Sequence, residues 1–424
     1  MNAKTLISRI QNGGLQKYAA MYEDVSAQET RYIEAIKEFE SIYGKDRDLF
    51  LFSVPGRTEV LGNHTDHNNG KVMAAAINRD LIAVVSPAKD QIRVKSQGYD
   101  EDVIPLSEIE KPEAFADFSS ASLIAGMAGG FVKDGYAVGG FDAYTTNDVL
   151  KGSGLSSSAG FEVMIGNILN HLYNGGEIDN AKIAKIAQYA ENVYFGKPCG
   201  LMDQTACAVG GFVYIDFEDK EAPEIEPLSF SLADAGYALC ITNTGGNHAD
   251  LTPDYAAVPA EMKAVAAYFG KEVLRGLTEA DILENIPVLR KATGDRAIMR
   301  ALHFVRENNR VEKAREALLA KDLKAFFDCV SASGRSSLCY LQNVFTTKNV
   351  HEQGITLALA VSDGLLAGKD CAWRVHGGGF AGTMQAFVKK EYVSSYAALM
   401  DATFGKGACM ILSVRAEGAI QVEV

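Results

Sequence analysis

Apolar residues recur at helical spacing over residues 29–43, where Tyr32, Ile33, Ile36, Phe39 and Ile42 share a face and Gly44 follows as a C-cap. The period then shortens. Residues 49–54 form a short apolar run, and Pro55-Gly56 predicts that this strand ends there. A polar stretch, 56–70, leads to a second apolar run at 72–77. Residues 81–87 and 92–96 read as a hairpin about Ala88-Lys89-Asp90. Residues 123–132 predict a helix packed through Ala and Gly, and 141–146 a strand. Phe161, Met164, Ile165, Ile168, Leu169 and Leu172 mark an amphipathic helix, with another over 181–194. Strands are expected at 211–217, 239–243, 371–375 and 383–388, and helices at 256–269, 297–311 and 311–322. Residues 1–25 carry no motif and are expected to pack on the body as a helix or extension. No repeat or linker interrupts the pattern, and the change of domain is placed at 231–237, dividing the chain into 1–235 and 236–424.

Between strand 141–146 and the helix after it lies a loop of Lys151, Gly152, Ser153, Gly154, Leu155, Ser156, Ser157, Ser158, Ala159 and Gly160. A glycine- and serine-rich loop entering a helix aims free backbone N–H groups and a positive dipole end at one point. That is an anion site, and phosphate is the usual anion. Gly152 and Gly154 admit close approach, and three serine hydroxyls add donors or magnesium ligands. The loop is neither a Walker A motif nor a dinucleotide fingerprint. By itself it is equally a loop with a helix cap.

Bulk properties narrow the field. The 424 residues suggest two or three domains, and 47% hydrophobic with 22% charged residues is ordinary for a globular chain. A net charge of −13 argues against nucleic acid as partner. No stretch of eighteen apolar residues suggests a membrane span. The first residues, with Lys4, Arg9 and Lys17 among polar neighbours, lack a signal-type apolar core. The seven cysteines are scattered and form no Cys-x-x-Cys pair, so reduced thiols in a cytoplasm are expected. A monomer or weak homo-oligomer is expected.

Three further segments carry chemistry. Arg57, Asn63, His64, Asp66 and His67 crowd one polar stretch, which suits a ligand rich in hydroxyls, although it also reads as a surface turn. His64, Asp66 and His67 offer three ligands to a metal, with no further cluster to support one. Glu191 falls on the same helical face as Ala184 and Ala187, so it is either a buried carboxylate needing a partner such as magnesium or a salt-bridged surface residue. Asp203 lies in a loop after Gly200, where a helix cap is the commoner role. Four glycines at 377–379 and 382 between two strands suggest a backbone that touches something.

Together these segments resemble the GHMP small-molecule kinases and, within them, the galactokinases. Leu155-Ser156-Ser157-Ser158-Ala159 after Gly154 is the form of the phosphate loop in galactokinases. The stretch from Gly56-Arg57 through His64, Thr65 and Asp66 resembles their sugar signature. The segment from Pro198-Cys199-Gly200 to Met202-Asp203-Gln204 resembles their catalytic-aspartate segment, and 376–382 the third motif, which closes over the nucleotide-phosphate region. The resemblance runs from about residue 29 to the C-terminus. It implies an α+β, two-lobed fold with an N-terminal lobe like ribosomal protein S5 domain 2, a C-terminal ferredoxin-like lobe, and an active site between them.

It implies transfer of the γ-phosphoryl group of ATP to the C1 hydroxyl of galactose, with ATP and Mg2+ required and a small sugar as partner. Asp203 would take or orient the hydroxyl proton, and Arg57 would keep Asp203 ionised. Asn63, His64, Asp66, Gly200 and Tyr255 would hold the sugar. Gly152, Ser153, Gly154, Leu155, Ser156, Ser157, Ser158 and Ala159 would hold the phosphates, with the metal shared by Ser158 and Glu191. Arg300, His303 and Glu307 resemble a family helix, although a solvated face explains their spacing equally. Asn63, His67 and Asn247 stand where the family has Glu, Tyr and Arg, and Phe118 and Ser120 stand near its usual Trp. An amide at 63 implies a weaker hold on one sugar hydroxyl. Other sugars (galacturonate, arabinose, N-acetylgalactosamine) or a non-catalytic galactose- and ATP-binding regulator remain as alternatives.

Overall fold

The first strand does not stop at Pro55-Gly56. In the computed structural model, which describes residues 1–22, 24–149, 154–246 and 251–424, β1 (Phe50–Leu61) runs straight through them. Its register against β2 (Lys71–Ala88) slips between Pro55 and Arg57. A bulge is where a strand tolerates proline and re-aims a side chain. Here it frees the Arg57 N–H to donate to the Leu155 carbonyl at 3.1 Å.

The remaining strands are β3 (Gln91–Ser96), β4 (Glu101–Pro105), β5 (Gly140–Asn147), β6 (Phe212–Asp216), β7 (Glu224–Leu228), β8 (Tyr237–Asn243), β9 (Ala372–Val375), β10 (Thr383–Lys389), β11 (Cys409–Leu412) and β12 (Ile420–Val422). Among the described residues they form two sheets. One is eight-stranded, in the order β12-β1-β2-β5-β3-β4, with β6 and β7 continuing from β2. The other is four-stranded and antiparallel, in the order β11-β8-β10-β9.

Two sequence expectations change here. The runs at 72–77 and 81–87 are one strand, β2, because the polar triplet between them is satisfied in place. Asp80 accepts from Arg31 at 2.6 Å, Ser53 at 2.5 Å and Tyr22 at 3.0 Å, and Asn78 accepts from the Ser413 N–H at 3.0 Å. Residues 81–87 and 92–96 form no hairpin either. β5 lies between them, antiparallel to β2 and parallel to β3. The short turn led the sequence reading to pair neighbours that a third strand separates.

The helices are α1 (Ala3–Gln11), α2 (Val25–Tyr43), α3 (Ser120–Lys133), α4 (Ser157–Tyr173), α5 (Asn180–Tyr189), α6 (Met202–Val209), α7 (Thr252–Tyr268), α8 (Glu279–Glu284), α9 (Ile286–Ala292), α10 (Asp295–Leu319), α11 (Leu323–Ser336), α12 (Gly354–Leu366) and α13 (Lys390–Phe404). α5 widens into a π-turn, Ala190–Tyr194, which carries Glu191. Gly44 caps α2 with φ 89°, as its position after the last apolar residue predicts. α3, α4, α5 and α6 cover the large sheet, and one core joins Val54 and Ile77 of that sheet to Met127 of α3, Ile165 of α4, Ile183 of α5 and Ala206 of α6. Among the described residues no helix is long and apolar enough to cross a membrane.

Candidate active site

Arg57 leaves the β1 bulge with its side chain 9% exposed and meets Asp203 with a two-pronged contact. Nε donates to Oδ1 at 2.7 Å and Nη2 to Oδ2 at 2.6 Å. Such a fork is the strong form of this pair. Nη1 donates to the Gly154 carbonyl, and the Ser156 hydroxyl donates to Asp203 Oδ2. Asp203 is not in a loop, as the sequence suggested, but in the first turn of α6, where the helix dipole also favours a negative charge. Burial pushes the Asp203 carboxyl up, but the charge and hydrogen bonds of Arg57, with the bond from Ser156, outweigh it. The group is held below its ordinary value.

Ser156 adopts the left-handed conformation (φ 54°, ψ 67°) at the start of α4, and its side chain caps nothing there. The hydroxyl is spent on Asp203, which leaves the N-terminal amides of α4 uncapped by it. Leu155 and Ala159 are buried and anchor the turn, while Ser158 is exposed. Gly152 and Ser153 lie outside the described residues. A cavity of about 610 Å³ opens beside this helix start, lined by Ser157 and Ser158, by Tyr99, Phe118 and Phe161, and by polar groups including Asp102, Ser120 and Asn147.

A second cavity, of about 160 Å³, has Arg57 in its wall. Arg57, Glu59, Gly62, His64, Asp66, His67, Val72, Met202, Gly377 and Gly378 line it. His64 and Asp66 therefore stand where the sequence expects them. His64 Nε2 donates to the Gly378 carbonyl at 2.9 Å. Burial, reinforced by His67, lowers its pKa to about 4, so it is neutral at pH 7. Among the described residues no group of three His, Cys, Asp or Glu side chains is placed to hold a metal, so the three-ligand reading of His64, Asp66 and His67 is not formed. Gly200 comes close to Asp66, since a Cβ there would sit 2.8 Å from Oδ2.

Asn63 and Tyr255 depart from expectation. Asn63 is fully buried and absent from the cavity wall. Its amide donates to Glu59 Oε1 at 3.0 Å and to the Gly377 carbonyl at 2.7 Å, and accepts from Asn343 at 2.7 Å. Tyr255 is absent from the wall as well. Its hydroxyl donates to the Gly379 carbonyl at 2.8 Å, and its ring packs where a Cβ on Gly378 would come within 2.7 Å. It holds the glycine turn that forms the wall. Asn247 lies outside the described residues.

The third glycine motif thus faces the sugar signature more than the phosphate loop. The carbonyls of Gly377, Gly378 and Gly379 accept from Asn63, His64 and Tyr255. His376 turns to the loop, its ring, like the Thr383 hydroxyl, 3.4 Å from where a Cβ on Gly154 would be. Gly379 (φ 81°) has no alternative, because a Cβ would lie 2.0 Å from the Asn343 carbonyl oxygen.

Glu59 was missed by the sequence reading. A side chain two residues from Arg57 on a strand points to the same face, and ending the strand at Pro55 hid that signal. Arg300, His303 and Glu307 are buried, not a solvated face. His303 Nε2 donates to the Asn63 carbonyl at 2.9 Å, so Nδ1 accepts from Ser336.

Glu191 is buried, with Oε1 2.8 Å from Lys197 Nζ and Oε2 accepting from Gln204 at 2.7 Å. Gln204 also donates to Glu162 Oε2 at 3.2 Å, and Glu162 Oε1 is buried without a partner. Burial, then the charge of Glu191, pushes the Glu162 carboxyl well up. Hard oxygen donors with an orphaned carboxylate oxygen beside them fit a magnesium ion better than a softer metal. The proximate cation, Lys197, is half exposed.

Comparison with known proteins follows this geometry. Residues 37–87 match the galactokinase galactose-binding signature, and residues 119–211 the GHMP kinases N-terminal domain. Galactokinase from Streptomyces coelicolor is 30% identical over 374 residues, which cover 87% of this chain and 92% of that protein. The chain belongs to the galactokinase family. Galactokinase from Actinobacillus pleuropneumoniae serotype 3 is 32% identical over 85% of this chain and 90% of its own length. In fold, Lactococcus lactis galactokinase complexed with galactose superposes with a TM-score of 0.76 at 24% identity, covering 91% of this chain and 98% of that one. Methanococcus jannaschii mevalonate kinase follows with a TM-score of 0.60 at 14% identity, over 88% and 99%. The two-lobed α+β GHMP kinase fold expected from the motifs is therefore the fold observed.

Proposed function

We propose that the chain transfers the γ-phosphoryl group of ATP to the C1 hydroxyl of galactose, giving galactose 1-phosphate and ADP. The observation that carries this reading is the position of the Arg57–Asp203 pair. Arg57 lines the small cavity, while its carboxylate partner accepts from Ser156 at the start of α4. The sugar occupies the small cavity against His64 and Asp66, with Gly200 above Asp66. The base of ATP occupies the larger cavity, where Tyr99, Phe118 and Phe161 supply flat apolar surface in place of a tryptophan. Its phosphates lie on the amides of the loop, Gly152 to Ala159.

Phosphoryl transfer asks mainly for positioning and charge neutralisation. As the C1 oxygen bonds to phosphorus, the bond from phosphorus to the ADP oxygen breaks, and the hydroxyl proton passes to Asp203. A carboxylate held below its ordinary pKa is a weak base. That is sufficient where little charge develops on the attacking oxygen before the proton moves. Arg57 stays cationic and offsets charge on the transferring group. Ser158 and Glu191 would hold Mg2+, which neutralises the phosphate oxygens when bound. Lys197 would yield Glu191 to it.

The test follows ADP release from ATP across a panel of sugars. Galactose is the expected substrate. A cavity lined by two carboxylates, Glu59 and Asp66, is expected to reject galacturonate. Turnover of an acidic or N-acetylated sugar but not galactose would replace the substrate. Binding of ATP and galactose without ADP release from any sugar would make the chain a regulator.

A further inference from the structure

We propose that Glu59, rather than Asn63, supplies the carboxylate that accepts hydrogen bonds from the sugar in this chain. The inference rests on the sugar-kinase reading above and assigns a specificity residue within the same cavity. The Asn63 side chain has no capacity left. Both its amide hydrogens are donated, to Glu59 and to Gly377, and its oxygen accepts from Asn343 and from Ser337 at 3.3 Å. Turning it to the sugar would break bonds inside a fully buried cluster.

Glu59 is oppositely placed. It lines the cavity beside Arg57, His64 and Asp66. Its Oε1 is engaged by Asn63 and, at 3.2 Å, by the buried Arg374. Its Oε2 accepts no hydrogen bond among the described residues and is not one of the buried orphan oxygens. One oxygen is thus fixed by the protein, and the other is left to a ligand. Because Asn63 and Arg374 hold the first, the second is pre-oriented at little entropic cost.

A carboxylate oxygen only accepts, so its partner is a hydroxyl of a neutral sugar. Glu59 and Asp66 together place two acceptors on the cavity against one cation, Arg57, which Asp203 already engages. This arrangement selects polyhydroxylated neutral ligands and opposes acidic ones.

The test compares the full chain with its Glu59→Gln and Glu59→Asp variants, using galactose and the 2-, 3-, 4- and 6-deoxygalactoses, all of which keep the C1 hydroxyl, and following ADP release. In the parent, one deoxy sugar is expected to lose ~10- to 100-fold in kcat/KM, the scale of a charge-assisted hydrogen bond. In Glu59→Gln, the KM for galactose rises by a similar factor, while kcat stays within about threefold and the KM for ATP is unchanged. The penalty for that one deoxy sugar then shrinks below about threefold, and the other penalties persist. A raised KM with every deoxy penalty unchanged would make Glu59 merely structural and overturn the proposal, as would an unchanged KM. If Glu59→Gln fails to fold because Arg374 loses its anion, Glu59→Asp keeps the charge and withdraws it by one methylene. A folded Glu59→Asp variant with the parent's KM and deoxy profile overturns the proposal equally. Absence of turnover by the parent with every sugar overturns the kinase reading instead, and calorimetric binding of the same sugars then makes the comparison.

Discussion

A buried cation is costly unless a carboxylate faces it, and the Arg57 side chain is 9% exposed. Arg57 and Asp203 are therefore one unit, and either substitution is felt by both. Asp203→Asn is expected to retain galactose binding, since the amide keeps the side chain's size and an acceptor oxygen, while kcat falls by ~10²-fold or more. Rapid-quench turnover alongside galactose calorimetry checks this, and a parent-like kcat would remove Asp203 from the chemistry. Glu191 is a separate matter. Its exchange to Gln keeps the Gln204 contact within reach but removes the charge that a hard cation requires. The Mg2+ concentration for half-maximal rate should rise ~10-fold or more with galactose affinity unchanged. An unaltered magnesium dependence would leave Glu191 a partner of Lys197 and nothing else.

α10 shows how one element positions another. Glu307 is buried and accepts from the Gly62 N–H at 3.1 Å, from Ser333 at 2.5 Å and from Arg310 at 2.7 Å. Burial alone would raise its pKa, but Arg310, His303, Arg374 and Ser333 bring it down to about 2. Together with His303 on the Asn63 carbonyl, it braces the turn from which His64 and Asp66 project. Glu307→Ala would strand Arg310 and the Gly62 N–H, at a cost of about 3 kcal/mol or more. The expected result is a lower denaturant midpoint at unchanged slope, with a raised KM for galactose. A loss below about 1 kcal/mol would show that α10 is not the brace.

Among the described residues, burial holds three histidines far below an ordinary 6.5, His64 and His303 at about 4 and His376 at about 3, and lowers His171 in the same direction. Above pH 6.5 they are uncharged folded or unfolded, and their contribution to stability is full. As pH falls through 6.5 the unfolded chain takes up protons that the folded chain refuses, so stability is lost down to about pH 4. Glu59 and Glu162, both raised by burial, run the other way. The three imidazoles outnumber them, so the calorimetric Tm should fall between pH 6.5 and 4. It should fall more steeply in Glu162→Gln, where an opposing group is gone. A flat or rising Tm over that range would contradict the burial of these rings.

What the sequence alone determined is local. The loop-to-helix junction at α4, the period of α2, the Gly44 cap and the order of the motifs all follow from residues adjacent in the chain. So does the sharing of one cavity wall by His64 and Asp66, because the spacing of a short turn fixes which side chains can lie together. The tertiary structure decided the rest. β1 runs through Pro55-Gly56 because a bulge passes the Arg57 N–H to Leu155. β2 runs through Asn78 and Asp80 because Tyr22, Arg31, Ser53 and Ser413 satisfy them from distant elements. β5 separates β2 from β3, although a short turn joins them. Asn63 and Glu59 are near neighbours in sequence with opposite fates, one sealed by Asn343 and Gly377, the other held open by Arg374. Those partners lie hundreds of residues away. A side chain's hydrogen-bonding capacity is written in its own chemistry, but which partners exhaust it depends on contacts that only the folded chain makes.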